Sequence, residues 1–556
     1  MSYGGMRRGE RPREAPGDPF DGLGARPPGE VTAPSARVSA GHRRAGPAVS
    51  GPRLPAWFPV TVVLAVQAAL SLWQVRADSA FEDEAAYLWA GHLEWSHWLH
   101  GTPIPHFPAY FSGAPVIYPP LAAAADSLGG LTAARVLSLV CMLGVTLLLW
   151  ATASRLAGRR AAFFASALFA VAAPTVHLGS FATYDALALL LTSLAAWLVV
   201  RAAVRPDAPG ADDATGWMAA SGACLALANA TAYTSVLLDP VVIGLALVTA
   251  FPRPGGKVAA IRVATITVVT GVLLTASVLA GGSFYLTGIS STTLGRVAGT
   301  DSPLTVAGQS WSWTGLIAVA ALCGLLLSLL SAETPVRRWL FGLLTVAALI
   351  IPAEQARLHT TDSLAKHVDA GIWFAAIAAG YAADKLITAA ASRHQAVTAP
   401  AVVVALAFPL TLGASQARAL ATAWPDSTSL IAILGQQVRK DPGRLLVEDP
   451  SIAEYYLAQG QDWERWSSTR NITLPGGAST GGPSASAGVT GPGNAGTFAE
   501  YITSGYFSLV ALNFADTTAL DHQLAADLRR NHRYHLVEVI PYGTGTYVLW
   551  QYEPRA

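Results

Sequence analysis

The chain has 556 residues, of which 52% are hydrophobic and only 13% charged, the makeup of a polytopic membrane protein rather than a soluble enzyme. Its net charge of +1 argues against nucleic acid as a partner. The three cysteines, Cys141, Cys224 and Cys323, each fall inside an apolar run and read as small packing residues, not as a disulfide or zinc framework.

Residues 1–53 are rich in Arg, Pro, Gly, Ser and Ala and almost free of large apolar side chains, so they are predicted to form a disordered cytoplasmic tail. They do not make a signal peptide, because the first apolar run begins only near Leu54. From there eleven candidate spans follow: 57–76, 132–154, 161–178, 185–204, 216–234, 236–251, 259–281, 312–331, 339–352, 370–388 and 397–414. Alternate connections carry the basic residues. Arg53, then Arg155, Arg159 and Arg160, then Arg201 and Arg205, then Arg253, Lys257 and Arg262, then Arg337 and Arg338, then Lys385 and Arg393 all fall on one side. The positive-inside rule makes that side cytoplasmic. Residues 77–131, 179–184, 282–311, 353–369 and everything after about 415 are thereby expected outside, in a multi-pass protein of the plasma membrane.

Three consecutive carboxylates, Glu82, Asp83 and Glu84, open the first outer connection. Charge at a membrane boundary is costly and usually functional, although acidic residues also favour the first turn of a helix for electrostatic reasons alone. Leu88, Trp89, Trp95, Trp98 and Leu99 then suit an amphipathic helix at the interface, ended by the Pro-rich stretch Thr102–Pro120. His97, His100 and His106 are spaced around Gly and Pro, poorly for a shared metal.

Beyond the last span the pattern changes. Strand-like runs at Arg444–Glu448, Tyr506–Leu512, Tyr534–Ile540 and Thr546–Tyr552 alternate with helical stretches at Ser427–Lys440 and Asp521–Asn531. They predict a C-terminal extracytoplasmic α/β domain over 415–556, following a catalytic membrane domain over 54–414. Leu474–Gly496 reads as a flexible Gly/Ser/Pro/Thr loop. Aromatic residues near Tyr455, Tyr456, Trp463 and Trp466 suit stacking on sugars or a packed core.

Three outer features occur in order: Asp83-Glu84, then Tyr118-Pro119-Pro120-Leu121 leading to Arg135, then Thr183-Tyr184-Asp185. Together they resemble the GT-C class of glycosyltransferases, in the branch of the protein O-mannosyltransferases and the lipid A aminoarabinose transferase. The likeness covers about residues 57–390, and the run His359–Phe374 is similar to a late outer loop of actinobacterial members. The resemblance implies a membrane hexosyltransferase using a polyprenyl-phosphate sugar, mannose by likeness, with an extracytoplasmic protein, lipid or polysaccharide as acceptor. The phosphate is already a good leaving group, so one carboxylate suffices, as base. Asp83 takes that role, and Glu84, about 100° round a helix, orients the loop or the acceptor. Arg135 is the candidate for the lipid phosphate, its fork matching phosphate oxygens, with Lys366, His367, Arg357 and His359 adding charge. Tyr118, Tyr184 and Asp185 complete the substrate site. In metal-dependent members of the class, Asp185 shares a divalent cation, magnesium or manganese, with Asp83. One departure stands out: relatives carry Lys after Thr at the elbow between the fifth and sixth spans, where this chain reads Thr231-Ala232-Tyr233. That shifts weight onto Arg135 and Lys366. The competing class, a transporter or flippase of a lipid-linked substrate, calls for repeats and midplane charges; neither is evident.

Overall fold

The computed structural model describes residues 55, 57–109, 111–203, 211–251, 256–296, 298–331, 333–393, 395–458, 460–469 and 492–554. The 1–53 segment, Arg205, Arg253 and most of the 474–496 stretch lie outside the described residues. Thirteen helices come first: α1 Phe58–Gln74, α2 Glu82–His100, α3 Tyr118–Leu156, α4 Arg159–Ala170, α5 Ala173–Leu178, α6 Tyr184–Ala203, α7 Ala211–Thr231, α8 Asp239–Ala250, α9 Gly256–Ile289, α10 Pro303–Leu330, α11 Pro335–Arg357, α12 Leu364–Arg393 and α13 Gln395–Ala421.

Among the described residues, eight stretches are long and apolar enough to cross a membrane. Three of the eleven predicted spans fall outside that set. α1 has 17 residues and is short. The predicted 161–178 span is two helices, α4 and α5, separated at extended Ala172 (ψ 139°), where Pro174 opens a new first turn. α7 has the length, but Thr215, Ser221 and Asn229 dilute its apolarity. Two helices run past their predicted spans through glycine breaks. Gly130 (φ 64°) divides α3 just before the predicted start at 132, and Gly282 (φ 71°) divides α9 just after the predicted end at 281. A left-handed φ is inexpensive only for glycine, so these positions let a short non-spanning segment turn off the end of each span.

The spans pack around α12, the most deeply buried of the eight. Its Trp373, fully buried, donates from Nε1 to the Val145 carbonyl of α3 at 3.1 Å. Val145, Leu149, Phe169, Phe341 and Phe374 fill the same core, while apolar residues of α9 such as Val268, Val272 and Leu279 remain exposed. Several basic residues meet at the end of the bundle away from α2. Arg160 pairs with Asp384 at 3.1 Å, Arg337 reaches the Leu156 carbonyl, and Arg262 the Ala202 carbonyl.

α2 starts at Glu82, five residues before the predicted amphipathic stretch, and its sides divide unequally: Leu88 is fully buried, whereas Trp95, Trp98 and Leu99 are exposed. After α13 come α14 Thr428–Lys440, β1 Arg444–Val447, α15 Ser451–Leu457, β2 Trp466–Ser468, α16 Pro492–Ser504, β3 Phe507–Leu512, α17 Thr518–Arg530, β4 Tyr534–Tyr542 and β5 Gly545–Tyr552. All four predicted strands are present; β2, three residues long, is too short to show a period. α16 covers the end of the predicted 474–496 loop. The sheet order is β2-β1-β3-β5-β4, with β1 parallel to β2 and β3, and β5 antiparallel to β3 and β4. Side chains alternate between two cores, one containing Phe498, Phe507 and Trp550, the other Leu434, Trp466 and Leu549.

Glu448, at the end of β1, is fully buried and accepts from the five consecutive backbone N–H groups of residues 513 to 517, at 2.6 to 3.1 Å. Asp521, one turn into α17 and also fully buried, is pushed up to about 8 by burial and by the Glu448 charge. Folded protein therefore holds a proton on Asp521 that the unfolded chain gives up near pH 4, so stability falls as pH rises from about 4 to about 8 and then levels off. Glu454, raised to about 8 mainly by burial, acts in the same window. Asp521→Asn is expected to raise the melting temperature at pH 8 and to flatten its decline between pH 5 and 8, measured by thermal unfolding in detergent. An unchanged slope would contradict the buried proton.

Candidate active site

The first turn of α2 sends its carboxylates in two directions, as the 100° step between neighbouring helix positions requires. Asp83 points to α12 and pairs with Lys366 Nζ; its side chain is 31% exposed and that of Lys366 is 8% exposed. Glu84 points into the protein and is fully buried. It accepts four hydrogen bonds: from Arg135 Nε at 2.8 Å, Arg135 Nη2 at 2.6 Å, the Ala182 amide at 2.7 Å and the Phe81 amide at 3.0 Å.

Arg135 is 2% exposed. Its remaining donors go to backbone carbonyls of the connection from α1: Nη1 to Val75 at 2.9 Å and Asp78 at 3.0 Å, Nη2 to Ser79 at 3.0 Å. A guanidinium has five N–H groups, and all five are used. Arg135, the expected ligand of the lipid phosphate, thus has every N–H donor engaged within the protein. Glu84, expected to orient the loop or the acceptor, holds the Phe81 and Ala182 amides as well as Arg135. Tyr118 is 1% exposed, with its hydroxyl 3.2 Å from Ser138 Oγ.

Above Tyr118 lies a group of rings. Tyr87 meets Tyr118 edge-on with centroids 6.4 Å apart, Phe111 at 5.3 Å and Tyr184 at 4.6 Å. Tyr184 and Asp185 open α6, tied to the Asp83 turn through the Ala182 amide on Glu84. Asp185, 6% exposed, lies 3.4 Å from His367 Nε2, and the other ring nitrogen, Nδ1, is 3.1 Å from Gln355 Nε2. The predicted 353–369 loop is mostly helix: α11 continues to Arg357 and α12 starts at Leu364, so Lys366 and His367 sit in a rigid first turn. His359 and Arg357 are held elsewhere. His359, with φ 52°, bonds the Asp301 carbonyl at 2.9 Å, and exposed Arg357 forks onto Glu354.

Asp185, Lys366 and His367, with Thr192, Thr234 and Leu238, line a cavity of about 30 Å³. It has room for about one water. Asp185 Oδ2, the Tyr233 hydroxyl and Gln355 Oε1 are buried and make no hydrogen bond among the described residues. Buried polar atoms are normally satisfied, so the open Asp185 oxygen on the cavity lining marks a place for a polar ligand. Gln355, Thr192 and Thr234 escaped sequence reasoning; an amide in the last turn of an apolar helix, beyond Pro352, was the available signal.

The donor set does not fit a resident divalent cation. Asp83 faces an ammonium and Asp185 an imidazole, and among the described residues no three His, Cys, Asp or Glu side chains converge. Of the three histidines noted before, His97 bonds the Thr102 carbonyl and His106 stacks on Phe284 with centroids 4.0 Å apart.

A bundle of spans joined to a small C-terminal sheet domain gives the chain the GT-C fold. Residues 118–280 match the family model described as dolichyl-phosphate-mannose-protein mannosyltransferase. ArnT from Cupriavidus metallidurans bound to undecaprenyl phosphate superposes with a TM-score of 0.59 at 16% identity, covering 89% of this chain and 98% of that one. The apo state of that protein gives 0.55 at 17%, covering 88% and 97%. The Archaeoglobus fulgidus oligosaccharyltransferase in its apo form gives 0.55 at 12%, covering 89% and 75%. No curated protein matches by sequence. The resemblance drawn from the motifs thus holds for class and fold.

Removing one partner of a buried, hydrogen-bonded ion pair costs about 3–5 kcal/mol, because the other is left charged and unpaired. Glu84→Gln and Arg135→Ala are therefore expected to lower the melting temperature strongly, and Lys366→Met much less. Equal losses for all three, by thermal unfolding in detergent, would contradict the anchoring role.

Proposed function

We propose that the protein is a membrane hexosyltransferase that moves a sugar, mannose by family likeness, from a polyprenyl phosphate to a hydroxyl of an extracytoplasmic acceptor. The observation that carries this reading is the pairing of half-exposed Asp83 with buried Lys366 at the cavity edge, beside the unsatisfied Asp185 oxygen. Arg135 being fully used, Lys366 supplies the local positive charge for the phosphate. Asp185 and the Thr192 hydroxyl oxygen accept from sugar hydroxyls, with His367 held in place by Gln355.

In the proposed step, the acceptor oxygen bonds the anomeric carbon while the bond from that carbon to the phosphate oxygen breaks. The hydroxyl proton passes to Asp83, and the polyprenyl phosphate leaves with the bonding pair, its charge balanced by Lys366. Attack opposite the leaving group inverts the configuration. Because the cavity has room for about one water, donor entry draws Lys366 from Asp83 towards the phosphate and so frees the base.

The acceptor class is a protein, a lipid or a wall polysaccharide, and membrane lipids surround the spans. The gathering of Arg160, Arg262 and Arg337 away from α2 supports an outward-facing site with a cytoplasmic N-terminus. A reporter active only outside the cytoplasm is expected to work when fused after Arg555; a cytoplasm-only signal overturns that orientation. For the chemistry, the test is purified protein in lipid nanodiscs with radiolabelled polyprenyl-phosphate mannose and a crude envelope acceptor fraction. Asp83→Asn is expected to lose about 10²- to 10⁴-fold in rate, as for deletion of a general base, measured on folded protein below a melting temperature that the unpaired Lys366 lowers. Near-normal transfer by the Asn variant would remove Asp83 as base.

A further inference from the structure

Asp83, in the first turn of α2, closely follows a connection without regular structure, residues 75–81. Arg135 holds its first half. Its second half is held by residues from beyond the last membrane helix. Trp424 Nε1 donates to the Ser79 carbonyl at 3.1 Å, the Ser427 amide to Ser79 Oγ at 2.9 Å, and the Ala80 amide to the Tyr456 hydroxyl at 3.0 Å. Around these bonds the Phe81 ring packs on Trp424 and on Phe181, each with centroids 5.4 Å apart, and fully buried Ala80 and Ala85 pack on Ile452 of α15. α15 is itself pinned to α2 and α3: the Tyr455 hydroxyl donates to Asp126 Oδ1 at 2.7 Å, and His92 meets Asp126 Oδ2 at 2.7 Å. Trp463 Nε1 reaches the Pro103 carbonyl at 3.2 Å.

The aromatic residues that suited sugar stacking are thus turned towards the membrane domain, and Trp466 is buried in β2. We propose that Tyr456 and Trp424 are positioning residues for Asp83: the sheet domain is a splint that sets the base against Lys366, whatever the acceptor. This rests on the assignment of Asp83 as base. Its physical content is that an amide bonded to a phenol oxygen fixes Ala80, three residues ahead of Asp83, and that a reacting group misplaced by about 1 Å loses about 10²-fold in rate.

The test compares Tyr456→Phe and Trp424→Phe with Tyr534→Phe, whose hydroxyl bonds the Phe507 carbonyl inside the sheet domain, remote from the connection. Two readouts are taken on full-length protein in nanodiscs. Hydrogen exchange of the peptide spanning residues 75–84 reports the connection without reference to any reaction. Transfer from polyprenyl-phosphate mannose, to the envelope fraction and to a short serine-containing peptide, reports kcat and KM. Tyr456→Phe and Trp424→Phe are expected to speed exchange of that peptide at least tenfold and to lower kcat tenfold or more on both acceptors, with either KM changed less than twofold. Tyr534→Phe is expected to change neither readout.

Unchanged exchange overturns the splint. Faster exchange with unchanged kcat also overturns the positioning role, as does a loss confined to one acceptor, which would assign the domain to acceptor choice. Wild-type protein that transfers nothing, with exchange nonetheless accelerated in the variants, overturns the proposed reaction and leaves the tie to the connection standing.

Discussion

The buried fork between Glu84 and Arg135 is the contact on which the arrangement around Asp83 depends. It costs desolvation of two charges and offsets that cost only because every N–H of the guanidinium and both oxygens of the carboxylate find partners. Through those partners it joins three stretches that are distant in sequence: the connection after α1 with the first turn of α2, the middle of α3, and the entry to α6. Asp83 and Asp185 are carried on two of these pieces. Their spacing is therefore set by a contact that neither residue makes.

Rigid placement continues on the opposite wall. Lys366 and His367 extend from the first turn of the most buried helix rather than from a loop, and Gln355 of α11 orients the imidazole. Loops would scatter these groups; helix ends backed by packed cores hold them within the tolerance that catalysis needs. The rings of Tyr87, Tyr118, Phe111 and Tyr184 pack on one another beside the Asp83 turn, with side chains of few rotatable bonds.

Much of this plan was legible in the chain. The apolar runs located eight of the spans, the strand-like runs located four strands, and the acidic turn, Tyr118, Arg135 and Asp185 lie close together in the structure. Partnership was not legible. Arg135 looks the same in sequence whether its fork meets a phosphate or Glu84, because 51 residues separate the partners and no local period records their meeting. The same holds for Lys366 and Asp83, 283 residues apart, and for Tyr456 and Ala80, 376 apart. α4 and α5 read as one span because hydropathy registers composition and not the extended backbone at Ala172. β2 has three residues, below the length at which alternation carries information.

The Glu448 carboxylate has a consequence for how the sheet domain treats anions. In parallel sheets, ligands bind beyond the carboxyl ends of the strands, where the connections diverge to either side, often with a phosphate on a helix N-terminus. Here that place lies between β1 and β3, and the five amides ahead of α17 already surround the chain's own anion. The domain's own carboxylate thus fills the amide cradle at this end of the sheet. Any other anion arriving there would have to displace Glu448 to reach those five N–H groups.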